Sequence, residues 1–427
     1  MLWLKARVSP KHDRGGQRGG AVHAFRHRPW VMVWMMAVAQ VISWGTLFYS
    51  FSLFVVPMEE SLGWSRPLLN GALSLGLLCS GVVAFPVGAW IDHHGGRGVM
   101  TLGSLVGGLL LLAWAQVETP WVFYLIWVLI GTSMAGVLYE PAFAVLTAVF
   151  GPEARRAITA MTLVGGFAST IFMPLIQLLI GACGWRNTLL ILGVMNLAVC
   201  LPLHALFVPG KVTFHTPETL QETRPTSDER RAIMRGRVFI GLAIWFTAYN
   251  AAQSALIFQF VPLLTTWGVE TAVILTSLAI IGPMQVAGRV VLMCFSTRLE
   301  TREIGIAVTV LLPAAVLTLL FFPHTLLWLG LAATLYGAGN GIMTIVRGIA
   351  VSDLIGRTHY GAVNGALTVP TNVAKALAPV VAAALWSAAR DPSLMLWTIL
   401  GSALLGTVGF GVALAGVSRD AARGERR

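Results

Sequence analysis

Long apolar stretches recur along nearly the whole of this 427-residue chain. A helix of about 20 apolar residues is long enough to cross the hydrocarbon core of a bilayer. We identify twelve such stretches and call them spans 1 to 12, in chain order: 30–57, 68–91, 99–117, 121–149, 157–181, 186–207, 238–264, 271–295, 304–322, 325–352, 361–389 and 393–417. The pattern predicts an all-α integral membrane protein.

The placement of the basic residues predicts how the chain lies in the membrane. The net charge of +11 could indicate nucleic-acid binding, but 23 of the 29 Lys and Arg lie in the tails and alternate loops. Only three lie in the opposite loops. This positive-inside pattern predicts that both termini are cytoplasmic. We therefore expect a multi-pass protein of the bacterial inner membrane, whose partner is the lipid bilayer and not nucleic acid.

Sites for metals, cofactors and disulfides are not indicated by the sequence. The four cysteines are scattered, with no CxxC, no paired histidine spacing and no P-loop. We expect no metal and no cofactor. Residues 1–28 are basic and Gly-rich without an apolar core, so they predict a cytoplasmic tail rather than a cleaved signal; a transit peptide is the weaker alternative.

The chain divides into two similar halves. Its one long hydrophilic interior stretch, 209–237, predicts a cytoplasmic linker between six-span bundles at 29–208 and 238–417, with a tail at 418–427. An offset of 205 residues aligns the halves at turns and kinks, for example Pro57 with Pro262, Gly63 with Gly268, Gly151 with Gly356 and Pro174 with Pro379. Transporters built from such parallel repeats bind substrate between the halves.

Two basic residues lie deep inside spans, Arg289 in span 8 and Lys375 in span 11, and neither has an acid beside it in sequence. A charge near the bilayer centre costs at least about 2.5 kcal/mol on insertion scales. We interpret both as lining a water-filled path where they meet an anion, since a guanidinium can hold a carboxylate bidentately. A structural cation held by helix-end carbonyls is the alternative for Arg289.

Polar residues share helix faces with both cations. Gln285 lies one helical turn before Arg289. Span 11 has a polar stripe at three- and four-residue steps: Asn364, Thr368, Thr371, Asn372 and Lys375. A helix that gathers its polar groups on one face turns that face away from lipid. Gln285 and Asn372 are therefore candidate substrate contacts, and polar packing between helices is the alternative.

Glu140 is the acid that lies well within a span, about nineteen residues into span 4. Acids inside membrane spans commonly serve as proton relays, so Glu140 is our candidate proton carrier. Arg347 in span 10 lies two positions from the repeat equivalent of Glu140, which permits a Glu140–Arg347 ion pair between the halves. The alternatives are a static buried salt bridge and pairing of Arg347 with Asp353.

Neutral polar residues in spans 1 and 7 could add hydrogen bonds to a substrate. Tyr49 in span 1 aligns with Ser254 in span 7 under the 205-residue offset, so both could face the centre. Asn250 lies one turn before Ser254. Packing between membrane helices uses the same residue types and is the alternative.

The loop after span 2 reads GAWIDHHGGR from Gly88 to Arg97. It resembles the cytoplasmic signature G-x-x-x-D-R-x-G-R-R/K of the major facilitator superfamily, with His93 where Arg or Lys is usual. The resemblance implies that Gly88 lets two helices approach closely. It also implies that Asp92 locks the halves through charge and helix-end interactions, and that Arg97 sits at the membrane surface. A plain turn of the positive-inside kind is the alternative.

Three further stretches are similar to the monocarboxylate transporter family and its oxalate/formate antiporter relatives: YSFSLFVVPMEESLGWSR from Tyr49, FGPEARRAITA from Phe150, and QVAGR ending at Arg289. The resemblance implies that Arg289 contacts a substrate carboxylate and that Lys375 is a second anion contact. Gln285 stands where that family often has Asp. Arg155 and Arg156, within the second stretch, join Gly88, Asp92 and Arg97 as candidate gating residues.

Together these features predict a twelve-helix major facilitator fold of two pseudo-symmetric six-helix bundles. We expect a monomeric secondary transporter that moves a small organic anion by alternating access, with protons as the candidate coupling ion. One alternative is efflux of a drug-like or metalloid compound on the same fold, and another is a transporter-like receptor or sensor. Nucleophiles, bases and metal ligands do not cluster in the sequence, so we do not expect an enzyme.

Overall fold

The structure is a computed structural model of the full chain. It describes residues 29–210, 227–295, 299–357 and 359–424. The predicted N-terminal tail and most of the predicted linker therefore lie outside the described residues.

Helices account for nearly all described residues of the first half. Its α-helices are Pro29–Ser43, Phe51–Leu62, Arg66–His94, Arg97–Trp114, Pro120–Val137, Tyr139–Phe150, Ala154–Gly165, Ala168–Met195 and Leu201–Phe207. Two π-helical segments, Trp44–Tyr49 in span 1 and Asn196–Cys200 in span 6, and the 3-10 turn Gly151–Glu153 complete this half. Spans 1, 4 and 6 are thus made of more than one helical segment each.

The second half is more regular, with one α-helix for each span. A short helix from the linker comes first, and the six spans follow: Ser227–Arg235, then Arg237–Thr266, Thr271–Phe295, Thr301–Phe321, Leu326–Leu354, Tyr360–Ala389 and Pro392–Gly424. The last helix continues past residue 418, so the start of the predicted C-terminal tail is helical.

Ten helical runs in the described part of the chain are long and apolar enough to cross a membrane. One of them, Pro120–Phe207, has 88 residues. At 1.5 Å per residue it would measure about 130 Å, roughly four times the thickness of the hydrocarbon core. Left-handed or otherwise non-helical glycines interrupt it at Gly151 (φ 52°) and Gly184 (φ 80°). The run is therefore spans 4, 5 and 6, and the chain has the twelve spans that the sequence predicts.

The two halves repeat the same packing. In the first half, span 2 packs on span 4, span 3 on span 4, span 1 on span 5 and span 3 on span 6. The equivalent pairs of the second half, 8 with 10, 9 with 10, 7 with 11 and 9 with 12, pack likewise. Gly63 and Gly268 end equivalent helices with φ of 69° and 73°. The prediction of two pseudo-symmetric six-helix bundles is confirmed, and their exact boundaries stay a prediction.

The halves meet closely at one end of the molecule, which we call the basic end. It carries the loops at 94–97, 150–156 and 354–360, and the positive-inside pattern predicts that it faces the cytoplasm. There span 2 and span 11 pack backbone against backbone. A Cβ added to Gly88 would lie 1.9 Å from the carbonyl oxygen of Gly361. Gly88 therefore permits the close helix approach that the family resemblance implies.

The halves separate toward the opposite end. Nearly every residue of 372–389 in span 11, and most residues of 167–183 in span 5, are half-buried or exposed. The preceding part of span 11, residues 360–371, is almost wholly buried. These helices are exposed on all sides, and lipid could cover only the side that faces away from the molecule. Within the described residues, their inner sides therefore have no close protein neighbour. The molecule is closed at the basic end and open at the opposite end.

The contact at Gly88 allows a matched test of this closure. We expect Gly88→Ala to lower the melting temperature of the purified protein by several degrees, because overpacking two backbones costs about 1–3 kcal/mol. The control is Gly98→Ala, where an added Cβ would meet nothing within 4 Å. Alanine is intrinsically the better helix former, so this control should be neutral or stabilising. Equal melting temperatures for both variants would contradict the close packing of spans 2 and 11.

Candidate functional site between the two halves

A break in the middle of span 4 places Glu140 at a helix start. Pro141 has no N–H, and its ring clashes with the carbonyl of residue i−4, which is Val137. The helix accordingly stops there, and Leu138 is extended (φ −78°, ψ −156°). Gln40 Nε2 donates to the freed carbonyls of Val137 at 2.7 Å and Leu138 at 3.2 Å. Glu140 then lies in the first turn of the next helix, where the helix dipole favours a negative charge.

Arg289 crosses from the second half to the first. Its residue is only 5% exposed, and its guanidinium lies directly over Gly166 of span 5, where an added Cβ would be 1.7 Å from Nη1. Within the described residues, Nε and Nη1 have no hydrogen-bond partner. The predicted alternative of helix-end carbonyls is therefore not observed for these two nitrogens. Buried charged donors of this kind need a partner, and an anion can supply it.

Two tyrosines of the first half lie in the field of this guanidinium. The charge of Arg289 acts on Tyr49 of span 1 and on Tyr139 of span 4. The Tyr139 hydroxyl lies over Gly165, since a Cβ there would be 2.7 Å from it. The predicted substrate contacts Arg289 and Tyr49 are thus brought together across the interface, and Tyr139 joins them.

Lys375 belongs to a neighbouring group of charges. The carboxylate of Glu140 acts electrostatically on Lys375 and on Arg347, and the charge of Arg347 acts on Lys375. Lys375 is half-buried, and its carbonyl accepts a 2.8 Å hydrogen bond from Ser254 Oγ. Because Tyr139 and Glu140 are consecutive residues, span 4 links this charge group to the surroundings of Arg289.

The structure does not form the predicted ion pair between Glu140 and Arg347. Arg347 Nη2 donates to Thr368 Oγ1 at 2.7 Å, and Nη1 donates to Thr371 Oγ1 at 3.3 Å. Its guanidinium carbon lies 5.0 Å from the centre of the Phe246 ring. Arg347 is two residues from the repeat equivalent of Glu140, and two residues turn a helical side chain by about 200°. It consequently points into its own half.

The remaining predicted substrate contacts are more dispersed. Asn250 Nδ2 donates to the Phe246 carbonyl of its own helix at 2.8 Å. Asn372 Nδ2 lies 3.5 Å from the Leu77 carbonyl, at the seam between spans 2 and 11. Gln285 is half-buried, with its backbone packed against span 10. These three amides therefore lie on different helices and bond or pack against protein neighbours.

Asp92 closes the basic end by binding the start of span 11. Its two carboxylate oxygens accept hydrogen bonds from the backbone N–H groups of Gly361 and Ala362, each at 2.8 Å. A carboxylate at a helix N-terminus satisfies otherwise unpaired donors and is favoured by the helix dipole. This is the helix-end interaction that the family resemblance implies. Arg97, in contrast, donates to the Val208 carbonyl at 2.8 Å within the first half.

Arg155 makes a second connection between the halves at this end. Its Nη1 donates to the Leu299 carbonyl at 2.5 Å, and its Nη2 donates to Thr301 Oγ1 at 2.6 Å. It also forms a 3.5 Å ion pair with Asp353. Asp353 therefore pairs with Arg155 and not with Arg347, contrary to the predicted alternative. Arg156 is exposed and makes no hydrogen bond or ion pair within the described ranges.

The described part of the linker covers the same closed seam. Ser227–Arg235 forms a helix, whereas the sequence predicts only a polar linker. The guanidinium of Arg230 lies 5.6 Å from the ring centre of Phe85 in span 2. Burial and the positive charge of Arg230 lower the pKa of His359, which precedes span 11. The linker helix thus places its charge beside both halves.

Sequence reasoning missed three residues of the central site: Trp44, Tyr139 and Gly166. The Trp44 ring lies 5.0 Å from Tyr139 and 6.0 Å from Tyr49, and its Nε1 is buried without an acceptor in the described chain. The positions of Trp44 and Tyr139 near the middle of their spans could have indicated a special role, because Trp and Tyr are usually enriched at the membrane interfaces. Tyr139 also precedes the singled-out Glu140 directly.

The role of Asp92 can be tested through the closure of the basic end. Hydrogen bonds to charged groups contribute about 1.5–3 kcal/mol each, so we expect Asp92→Ala to open this end more than tenfold more often. The readout is maleimide labelling of Asn364→Cys, a position only 1% exposed, in a background without other cysteines. Asp391→Ala, which removes an acid at the opposite end, is the control. An unchanged labelling rate in Asp92→Ala would refute the locking contact.

Comparison with known proteins agrees with this architecture. The model of the Major Facilitator Superfamily matches residues 33–379. An uncharacterized MFS-type transporter of Bacillus subtilis, YcxA, is 28% identical over 159 residues, which are 36% of this chain and 38% of that protein. Monocarboxylate transporter 12 of Xenopus laevis is 29% identical over 176 residues, covering 40% of this chain and 35% of that protein. The chain thus spans little more than a third of the length of these relatives.

Solved structures share the fold over almost their whole length. The human organic anion transporter MFSD10 and the fucose:proton symporter of E. coli both superpose with a TM-score of 0.68. Each alignment covers 91% of this chain and 99% of the other, at 17% and 15% identity. These identities show the common fold alone. Since the family model matches from span 1 into span 11, the chain belongs to the Major Facilitator Superfamily of membrane transporters.

Proposed function

We propose that the protein is a secondary active transporter that moves a small organic anion, of the monocarboxylate class, by alternating access. The observation that carries this proposal is Arg289, a buried cation that reaches across the interface with two donor nitrogens unused. The similarity to proteins named monocarboxylate transporters 12 and 14, and the fold shared with a protein named an organic anion transporter, support it. Transporters of this architecture bind substrate between their halves.

The charges of the site favour an anion over a cation. Within the described spans, the three basic groups Arg289, Lys375 and Arg347 outnumber the single acid Glu140. A cationic drug would meet net positive charge in a medium where charges are weakly screened. Export of a cationic compound is for this reason the weaker hypothesis.

Alternating access then follows from the two ends of the molecule. An anion enters from the open end and is held by the Arg289 guanidinium, with the tyrosine hydroxyls of the first half as further donors. Its charge draws the second half toward the first. The basic end opens only when Asp92 leaves the start of span 11 and Arg155 leaves Asp353. Those contacts amount to several kcal/mol, so the anion must bind the other conformation more tightly by a similar amount.

Glu140 offers a mechanism for proton coupling. With Glu140 ionised, the three central cations and one carboxylate carry a net charge of about +2. A proton on Glu140 raises this charge by one and strengthens the attraction for an anion. By thermodynamic linkage, the anion then strengthens binding of the proton equally. Proton and anion would consequently move in the same direction.

The first test concerns the anion contact. We expect Arg289→Gln to lower carboxylate counterflow in proteoliposomes at least about thirtyfold, because losing one partner of a buried charged contact costs 2–5 kcal/mol. The matched control is Arg66→Gln, which removes a basic side chain that is 63% exposed and paired with Glu59 at the surface. Normal counterflow of every carboxylate in a lactate, pyruvate, oxalate and formate panel by Arg289→Gln would overturn the proposed anion site.

The second test concerns coupling. We expect Glu140→Gln to retain substrate exchange and to lose accumulation driven by a pH gradient, since the amide cannot take up the coupled proton. Glu118→Gln, at an exposed position between spans 3 and 4, should behave as the wild type. Accumulation by Glu140→Gln that still follows the pH gradient would exclude this residue as the carrier.

A further inference from the structure

The π-helical segment of span 1 brings three aromatic rings onto one face. The N–H of Ser50 donates to the Gly45 carbonyl at 3.1 Å, which is the i→i+5 bond of a π-helix. Such a turn returns residue i+5 to the side of residue i, whereas an α-helix returns only i+4. Trp44 therefore has both Phe48 and Tyr49 beside it, with ring centres at 5.2 and 6.0 Å.

Neighbouring spans hold this π-helical turn in place. A Cβ added to Gly45 would lie 2.1 Å from the Phe172 ring, so only glycine lets span 5 approach here. Asn196 Nδ2 donates to Thr46 Oγ1 at 3.1 Å, which joins the turn to the π-helical segment of span 6. Because π-helical turns are costly and frequent at functional sites, a turn with such fixed supports invites a functional explanation.

The three rings form one surface with Tyr139, and we call Trp44, Phe48, Tyr49 and Tyr139 the aromatic wall. All four are half-buried, although they lie within spans. Tyr139 is supported from behind by Phe143, whose ring is parallel to it within 3° at 5.3 Å. The Tyr139 hydroxyl lies over Gly165 and the Arg289 guanidinium lies over the adjacent Gly166, so the wall lies beside this guanidinium.

We propose that the aromatic wall binds the ring of an aromatic monocarboxylate whose carboxylate is held by Arg289. This inference rests on the proposed function and names its substrate class. The first half contributes aromatic side chains here and the second half contributes the Arg289 guanidinium, which matches a molecule with a ring at one end and a carboxylate at the other. A small aliphatic acid would leave the wall uncovered.

Ring geometry favours an aromatic guest over an aliphatic one of equal size. Aromatic pairs prefer offset or edge-to-face contact with centres 4.5–7 Å apart, and each adds stability beyond the burial of its area. The Arg289 guanidinium can also stack on an aromatic face.

The test compares benzoate with cyclohexanecarboxylate, two carboxylates of similar size that differ in the π system. We expect the purified full chain to bind benzoate at least fivefold more tightly in isothermal titration calorimetry at neutral pH. Trp44→Leu should raise the Kd for benzoate about tenfold and abolish the preference. Tyr139→Leu should have the same effect if Trp44→Leu fails to fold. The control is Trp397→Leu, a half-exposed tryptophan on span 12 that should change neither Kd.

The outcomes separate this inference from the function on which it rests. Equal Kd values for the two ligands, or equal losses for both in Trp44→Leu and Tyr139→Leu, would overturn the aromatic site. Counterflow of lactate or oxalate that depends on Arg289 would then leave the proposed anion transport standing. If neither these acids nor benzoate is bound or transported by the wild type, the proposed function itself is wrong.

Discussion

The structure depends on one constraint, which is that a polar group inside a bilayer must find a partner in protein or in water. Arg289, Lys375, Arg347 and Glu140 all lie within spans, and none of these four residues is exposed. Arg347 satisfies two of its nitrogens with threonines of span 11. Arg289 leaves two nitrogens unsatisfied at the interface between the halves. At these two nitrogens, the substrate anion of our proposal would supply the missing partner.

Much of the fold was accessible from the sequence because hydrophobic length and charge placement are read directly from composition. Most of the twelve spans were predicted to within a few residues, whereas the helix of span 12 continues to Gly424. The glycine at 88 was identified through its signature. The interruptions inside spans were not predicted. A π-helical turn has no simple sequence pattern. Pro141 predicts a break in span 4, but it does not show that the Gln40 side chain donates hydrogen bonds to the freed carbonyls.

The candidate site was predicted in part for a similar reason. Charged residues in apolar spans stand out, so Arg289, Lys375 and Glu140 were recognised. Trp44 and Tyr139 did not stand out, because aromatic side chains also occur on lipid-facing and packing surfaces. The prediction of an ion pair between Glu140 and Arg347 was wrong. A repeat offset gives the position of a residue along a helix to within a turn, but a contact also requires that the side chain lie on the correct face of the helix.

The hydrogen bonds of Gln40 have a mechanical consequence. They tie span 1 to the break in span 4, and Asn196 ties span 6 to the π-helical turn of span 1. The aromatic wall and Glu140 therefore belong to one unit of the first half, which these hydrogen bonds hold together. In the alternating-access cycle that we propose, this unit would keep its internal geometry, and a bound molecule would move together with the first half. The distance from that molecule to Arg289 of the second half would then be the one that changes during the cycle.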